Sequence, residues 1–308
     1  MNLPKFNFDK DKLIEYSEKK FNLNKIVQCR KFKSEEYQKY IRYLNIHLSK
    51  LLVGTLDELE IAKNSFDKII NFNNKLKCSG KINRKNCNKC QECKKNKLNS
   101  EFNKRVINSL NYQPSTLYNY FHGLTNSACY ICNAQYTLVA NSKSKIKLIF
   151  EFDHYYPKSL YPALSISLHN LFPICGSCNK FKGNREYDIS KMYKNLKFRI
   201  DSESLTSHIT QNSKLVIQIN DSTKISEKFY LHGIYDNHID YIEELIQRKL
   251  KYNKCYKSSL EKKFGKIVGN VENIDTRLEL GTYTSEEGIY KRPLSKFLQD
   301  INEQLDML

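Results

Sequence analysis

Four cysteines in two close pairs are the residues of this chain that most clearly could bind a metal. Cys129 and Cys132 form one Cys-x-x-Cys pair, Cys175 and Cys178 form the other, and 42 residues separate the two pairs. Four thiolates from two such pairs make a closed tetrahedral shell, which is typical of structural Zn²⁺. Because a closed shell leaves no position for substrate, we expect this zinc to stabilise a small motif and not to take part in chemistry.

A second cluster has four cysteines within 16 residues, spaced Cys-x8-Cys-x2-Cys-x2-Cys: Cys78, Cys87, Cys90 and Cys93. Zinc is the preferred interpretation here as well. An iron–sulfur cluster is one alternative, although the Cys-Pro that follows such a run in bacterial ferredoxins is absent. A lysine-rich loop with unligated cysteines is the other. The two remaining cysteines, Cys29 and Cys255, are expected to be ordinary buried thiols.

Residue types suited to phosphodiester hydrolysis lie between and beside the first two cysteine pairs. They occur in the segments Phe152-Asp153-His154-Tyr155-Tyr156-Pro157-Lys158, His169-Asn170-Leu171 and Cys178-Asn179-Lys180-Phe181-Lys182-Gly183-Asn184. Hydrolysis of a phosphodiester needs a base that deprotonates water and a cation that holds the phosphate and the leaving oxygen. A histidine can be that base near neutral pH, because its ordinary pKa is about 6.5. His154 is therefore the candidate general base.

The order of these residues resembles that of the HNH endonucleases, which have the ββα-metal fold. The shared features are Cys-x-x-Cys, Asp-His-x-x-Pro, Asn-Leu and Cys-x-x-Cys-Asn-x-x-Lys-Gly, over roughly residues 129–184. The resemblance implies that Asp153 and Asn179 hold a catalytic Mg²⁺ or Mn²⁺, an ion that prefers hard oxygen ligands. It also places Asn170 among the catalytic residues. The implied role of Asn170 is to hold the loop that carries His154 in position. The family sometimes has His at the position of Asn179.

The charge of the chain favours nucleic acid as a partner. Lys and Arg number 51 against 33 Asp and Glu, a net charge of +18, and residues 75–105 alone carry 11 Lys and Arg against two Glu. Such an imbalance attracts polyanions, although a lysine-rich amino-acid usage would produce it too. Within the motif, we expect Lys158, Lys180 and Lys182 to bind nucleic acid. The basic cysteine-rich segment could clamp a phosphate backbone.

These motifs predict an α+β protein with a zinc-bearing ββα-metal core and mainly helical flanking regions. The predicted divisions are a helical region over 1–125 with a basic cysteine-rich insertion at 72–105, a nuclease core over 126–190, and a mainly helical region over 191–308. Alternating apolar residues predict a β-hairpin formed by 135–140 and 146–152, with His154 near the end of its second strand. Further predicted elements are helices over 34–51, 114–124, 226–263 and 294–305, a helix capped by Thr55 and Glu58, and a strand over 213–219.

These features favour a metal-dependent DNA endonuclease, with double-stranded DNA as the preferred substrate. Residues 153–162 are similar to those of HNH effectors of bacterial anti-phage systems, some of which work with an ATPase partner, so a defence role is expected. The alternatives are a sequence-specific restriction endonuclease, a zinc-structured nucleic-acid-binding protein without catalysis, and a nuclease directed at RNA. No apolar run long enough for a membrane span and no signal peptide is seen, so a cytoplasmic location is expected.

Overall fold

The computed structural model describes residues 28–79, 87, 90–110, 127–141, 146–183, 185, 187, 195–252 and 281–306, and some single positions in 11–26 and 255–263. Helices combine there with two-stranded antiparallel sheets, so the predicted α+β class is confirmed. The helix predicted over 114–124 and the turn at 142–145 lie outside the described residues. In the part of the chain that is described, no helix has both the length and the apolar character needed to cross a bilayer.

Three long helices form the described N-terminal region: α1 (Glu35–Val53), α2 (Leu56–Asp67) and α3 (Gln91–Ser109). The predicted capping box at the start of α2 is present, because Thr55 and Glu58 each accept a backbone N–H of the other. Helix α3 was not predicted, since its sequence is rich in Lys and Asn. It is held by Phe102 and Val106, which are four residues apart and both fully buried against the other helices.

Two short β-sheets follow. Strands β1 (Leu138–Asn141) and β2 (Ile146–Ile149) form the predicted hairpin, with shorter strands than expected. The second predicted strand is divided, because residues after Ile149 belong to a separate strand, β3 (Glu151–His154). Strand β3 pairs antiparallel with β4 (Leu171–Ile174), which was not predicted, and helix α4 (Gly176–Lys182) begins two residues after β4 ends. The order is therefore strand, strand, helix.

The C-terminal region has a third sheet and five described helices. Strand β5 (Leu196–Ile200) pairs with β6 (Ile217–Asp221), and the helices are α5 (Ser202–Gln211), α6 (Ile225–Lys228), α7 (Leu231–Tyr235), α8 (Ile239–Lys251) and α9 (Ser295–Asp306). The helical pattern predicted over 226–263 is present in the described residues, but it is divided into three helices, α6, α7 and α8. Tyr230 has φ of 54°, a left-handed conformation that ends α6, and a 3₁₀ turn over Asp236–His238 separates α7 from α8.

Two buried apolar clusters share the segment between 127 and 183. Cys129, Tyr130 and Phe172 pack with the C-terminal elements, in a cluster that includes Phe198 and Tyr235. Other residues of the same segment, among them Phe152, Leu164 and Leu168, pack with α1, α2 and α3. The strand–strand–helix unit therefore lies between the two clusters and contributes to both.

Candidate active site and metal centres

The β3–β4 pair places Asp153 and His154 side by side at the end of a strand. Asp153 is opposite Phe172 and His154 is opposite Leu171 in the antiparallel register. Successive side chains of a strand point to opposite faces, so the two residues enter different surroundings. Both are nevertheless among the residues that line one open cleft of about 290 Å³: Phe152, Asp153, His154, Pro157, Lys158, Asn179, Lys182 and Gly183.

The imidazole of His154 is held in one orientation by a backbone carbonyl. Its Nε2 lies 2.9 Å from the oxygen of Ser165. A carbonyl only accepts, so Nε2 carries the proton and the neutral ring has its lone pair on Nδ1. Burial, together with the positive charges of Lys158 and Lys182, lowers the pKa of His154 to about 3. The ring is therefore neutral and able to accept a proton.

Asp153 is buried and only partly satisfied. Its Oδ1 accepts a hydrogen bond from Nζ of Lys182 at 3.0 Å, while its Oδ2 is buried and accepts none in the described structure. Burial raises the pKa of Asp153 to about 6, against the opposing charge of Lys182. A buried polar oxygen without a partner is uncommon and costs free energy. An oxygen of this kind at the edge of a cleft is a suitable ligand for a hard divalent cation.

Asn179 approaches the cleft from α4. Its amide nitrogen donates to the carboxylate of Glu151, which leaves the amide Oδ1 as the atom suited to a cation. Glu151 was not identified from the sequence. It lies two residues before Asp153 on the same strand, and residues two apart in a β-strand lie on the same face of the sheet. This spacing was the sequence signal that could have identified Glu151.

Asn170 bridges two parts of the segment that follows His154. Its side chain is fully buried and accepts the N–H of Tyr156 at 2.7 Å. The amide nitrogen donates to the carbonyl oxygens of Tyr156 and Leu164, at 3.2 and 2.8 Å. These bonds tie the loop after His154 to the 3₁₀ turn over Pro162–Leu164, next to the carbonyl that holds the imidazole. The described contacts of Asn170 are all to backbone groups of this loop.

The three motif lysines have different environments. Lys182 is 1% exposed, and besides Asp153 its ammonium donates to the backbone oxygen of His154 at 2.9 Å. It was expected to bind nucleic acid, but here it is a buried partner of Asp153. Lys158 lines the cleft. Lys180 is exposed and is not among the residues that line the cleft.

The first cysteine cluster has the geometry of a closed metal site. The four Sγ atoms of Cys129, Cys132, Cys175 and Cys178 all lie within 4.8 Å of one another, and all four residues are buried. A tetrahedral Zn²⁺ with Zn–S bonds of 2.3 Å needs sulfur atoms about 3.8 Å apart. The Sγ atoms of Cys132 and Cys175 are 3.9 Å apart. The cluster therefore fits zinc, and it joins the turn before β1 to the start of α4.

The second cysteine cluster is also assembled. Cys78, Cys87, Cys90 and Cys93 meet the same 4.8 Å limit but are only half-buried. Sγ of Cys90 lies 3.8 Å from Sγ of Cys78 and 3.7 Å from Sγ of Cys87, again the spacing expected for zinc. The structure therefore brings together both predicted groups.

The lone cysteines fit their prediction less well. Cys29 is half-buried, and Cys255 is exposed, contrary to the expectation that both are buried thiols. Cys255 lies on a stretch of which only some residues are described, just beyond the end of α8. It lies outside both four-cysteine groups.

Comparison with known proteins adds no assignment. No protein-family model, no curated protein and no solved structure matches the chain.

Proposed function

We propose that this protein is a metal-dependent endonuclease of the HNH type, with a ββα-metal core formed by β3, β4 and α4, that hydrolyses phosphodiester bonds in DNA. One observation carries the proposal. His154, with a neutral and oriented imidazole, and Asp153, with an unpartnered buried carboxylate oxygen, are both among the residues that line one open cleft. These are the base and the cation ligand that hydrolysis of a phosphodiester requires.

In this mechanism Nδ1 of His154 accepts a proton from the attacking water. The bond from Nε2 to the carbonyl of Ser165 keeps the ring in the required tautomer. A bound phosphate places negative charge beside the imidazole, which raises the pKa of His154 from its low value and improves it as a base. Asn170 fixes the loop and thereby the distance between the imidazole and the phosphate.

Asp153 and Asn179 are the residues that would hold a divalent cation. Such an ion supplies charge stabilisation for the scissile phosphate and its leaving oxygen. The buried ammonium of Lys182 keeps Asp153 in its ionised form, because an opposite charge close by favours the charged carboxylate. Lys158 lines the cleft, which supports a contact between its ammonium and a phosphate oxygen. Cleavage on this scheme leaves 5′-phosphate and 3′-hydroxyl ends, as in the family that the chain resembles.

A bacterial defence role, with an ATPase partner, is the biological setting that we propose for this activity. It is supported by the similarity of residues 153–162 to those of anti-phage effectors, and by a charge of +18 that suits a nucleic-acid substrate.

The test compares cleavage of supercoiled plasmid DNA, with Mg²⁺ or Mn²⁺, by the wild type, His154→Ala and the exposed-histidine control His232→Ala. Loss of a general base lowers the rate by about 10²–10⁴-fold. We therefore expect cutting by the wild type and the control only, with DNA binding by gel shift unchanged in all three. Zinc and iron are counted on the same preparations, and two zinc ions per chain are expected.

Three results would overturn the proposal or part of it. Full cleavage by His154→Ala would refute the base assignment. DNA binding without cleavage by any of the three proteins, with both zinc sites filled, would support a nucleic-acid-binding protein instead. Faster cleavage of structured RNA than of duplex DNA would transfer the activity to an RNA-directed nuclease.

A further inference from the structure

A second groove, lined by both polar and apolar side chains, adjoins the candidate active site. It has a volume of about 360 Å³ and lies between the segment 71–75, one face of α3 and the loop after His154. Lys158 lines both the groove and the catalytic cleft, so the two are neighbours on one surface. The lining residues are Asn71, Phe72, Asn74, Lys75, Asn96, Asn99, Ser100, Asn103, Lys104, Ile107, Lys158, Ser159 and Leu160.

The chemistry of this lining suits a phosphate backbone. It contains three lysines and five asparagines, and none of its residues is Asp or Glu. Lys75 and Lys104 are exposed and lie on opposite walls, one on the segment before the cysteine cluster and one on α3. Ammonium groups neutralise phosphates. Four of the asparagines already hydrogen-bond within the protein: Asn71, Asn96, Asn99 and Asn103. The lysines therefore carry the expected contacts. A small anion would need only one of these lysines, whereas a nucleic-acid strand uses several in succession along its phosphates.

The helix face that forms one wall is regular. Asn96, Asn99, Asn103 and Ile107 recur at intervals of three and four residues along α3, which puts them on one side of the helix. The carboxylates of α3 are engaged elsewhere, since Glu101 pairs with Lys31 and Glu92 accepts a hydrogen bond from Ser79. The face that meets the groove is therefore polar and locally basic.

The opposite wall is held in place before any ligand arrives. The side chain of Asn71 accepts the backbone N–H groups of Asn73 and Asn74, at 2.9 and 3.1 Å. Asn96 bridges from α3 to the backbone N–H and oxygen of Leu76, at 3.1 and 2.8 Å. Pre-formed walls lower the ordering cost of binding.

Two contacts connect the groove to the rest of the site. Asn103 donates to the carbonyl oxygen of Ser159 at 2.8 Å, which links α3 to the loop that follows His154. The Sγ atoms of Cys78 and Cys90, which lie on the same two segments as the walls, are 3.8 Å apart. The groove therefore adjoins the loop of the catalytic cleft, and the two segments that form its walls also supply the second cysteine cluster.

We propose that this groove binds the segment of one nucleic-acid strand that flanks the scissile phosphate, with Lys75 and Lys104 contacting its phosphates. The inference rests on the proposed nuclease function and adds the path of the substrate beyond the cleft. A volume of about 360 Å³ is at the scale of a small-ligand pocket. That volume is too small for a duplex, so the groove takes part of one strand.

The test measures binding of fluorescent single-stranded DNA oligonucleotides of two to twelve nucleotides by anisotropy, over a range of salt concentrations. The variants are Lys75→Gln/Lys104→Gln and the matched control Lys50→Gln/Lys214→Gln, whose lysines are exposed but line neither the groove nor the cleft. All are made in the His154→Ala background, so that cleavage does not interfere. Circular dichroism checks that each variant is folded.

Each phosphate contact to a single strand contributes about −0.7 to the slope of log K against log salt. We therefore expect the groove variant to lose about 1.4 of that slope and to bind the longer oligonucleotides at least about tenfold more weakly at low salt. The control should match its parent. Equal affinity and equal slope in the groove variant and the control would overturn the inference.

A parallel measurement separates the two proposals. Plasmid cleavage is compared between the wild-type chain and the two lysine pairs made with His154 intact. If cleavage does not change when the groove lysines are replaced, the proposed nuclease function holds and the proposed role of the groove is refuted. The opposite result is also possible: oligonucleotide binding depends on the groove lysines, but the wild-type chain does not cleave DNA. That result would support the proposed role of the groove and refute the proposed nuclease function.

Discussion

At the scale of single residues, Lys182 is the side chain whose environment most affects the candidate site. Its ammonium is buried between the carboxylate of Asp153 and the backbone oxygen of His154. A buried pair of this kind contributes little net stability compared with an apolar pair, yet removal of one partner is costly because it leaves an unpaired charge. Lys182 therefore positions and balances Asp153, and it does not reach for substrate.

We predict that Lys182→Met lowers the free energy of unfolding by about 3–5 kcal/mol. The matched control is Lys180→Met on the same helix, where the side chain is exposed and a change within about 0.5 kcal/mol is expected. Urea unfolding followed by circular dichroism, without added Mg²⁺, measures both. Equal stability of the two variants would show that the pair with Asp153 does not stabilise the fold.

At the scale of elements, each cysteine cluster joins two separate segments of the chain. The buried cluster connects the turn before β1 to α4, and its cysteines pack in the cluster that contains β5, β6 and α9. The half-buried cluster connects the segment before residue 78 to the start of α3. Because only the first cluster is buried, loss of its metal should destabilise the fold more than loss of the metal from the second cluster.

We predict that Cys129→Ser unfolds the apolar cluster that contains Phe198 and Tyr235. Structural zinc supplies on the order of 10 kcal/mol of folding free energy, which is comparable to the whole stability of a domain. Cys90→Ser should lose one zinc ion and leave most of the helical signal. The control is Cys255→Ser, at an exposed cysteine outside both groups. Zinc content and thermal unfolding are measured on each. A folded Cys129→Ser protein with one zinc ion or none would contradict the assigned role of the buried site.

At the scale of the whole molecule, the described residues of the candidate nuclease unit divide their buried side chains between two clusters and form no separate core. Leu164 and Leu168 are fully buried with the N-terminal helices, while Phe172 packs on the opposite side with the cluster of Phe198. Tyr235 of α7 also donates a hydrogen bond to the carbonyl of Cys132 at 2.6 Å. The flanking regions therefore complete the unit.

We predict that a fragment spanning 127–190, refolded with Zn²⁺, lacks a cooperative thermal transition, whereas the full chain shows one. Removal of both flanking regions exposes two apolar faces at once, and burial of apolar surface is the main stabilising contribution in folding. Circular dichroism against temperature and binding of a hydrophobic dye distinguish the two cases. A fragment that melts cooperatively without binding the dye would show that the unit folds alone.

The sequence by itself determined the groups that could do chemistry. Fixed ligand spacing reveals both cysteine clusters, because a tetrahedral site needs paired thiolates close in the chain. The capping box at Thr55 and the β1–β2 hairpin were also legible, since both depend on residues near one another in sequence. Local patterns of this kind need no knowledge of the packed molecule.

Tertiary structure alone decided what those groups contact. The carbonyl of Ser165 that orients His154 carries no side-chain signal, and the burial of Lys182 depends on packing between α4 and β3. Helix α3 escaped prediction because its apolar residues are few. Strand β4 escaped because it is only four residues long and contains a proline, Pro173, which argues against a strand in sequence. Both elements gain their stability from distant partners. The groove beside the cleft exists for the same reason: its walls are 20 residues or more apart in sequence and meet only in the folded chain.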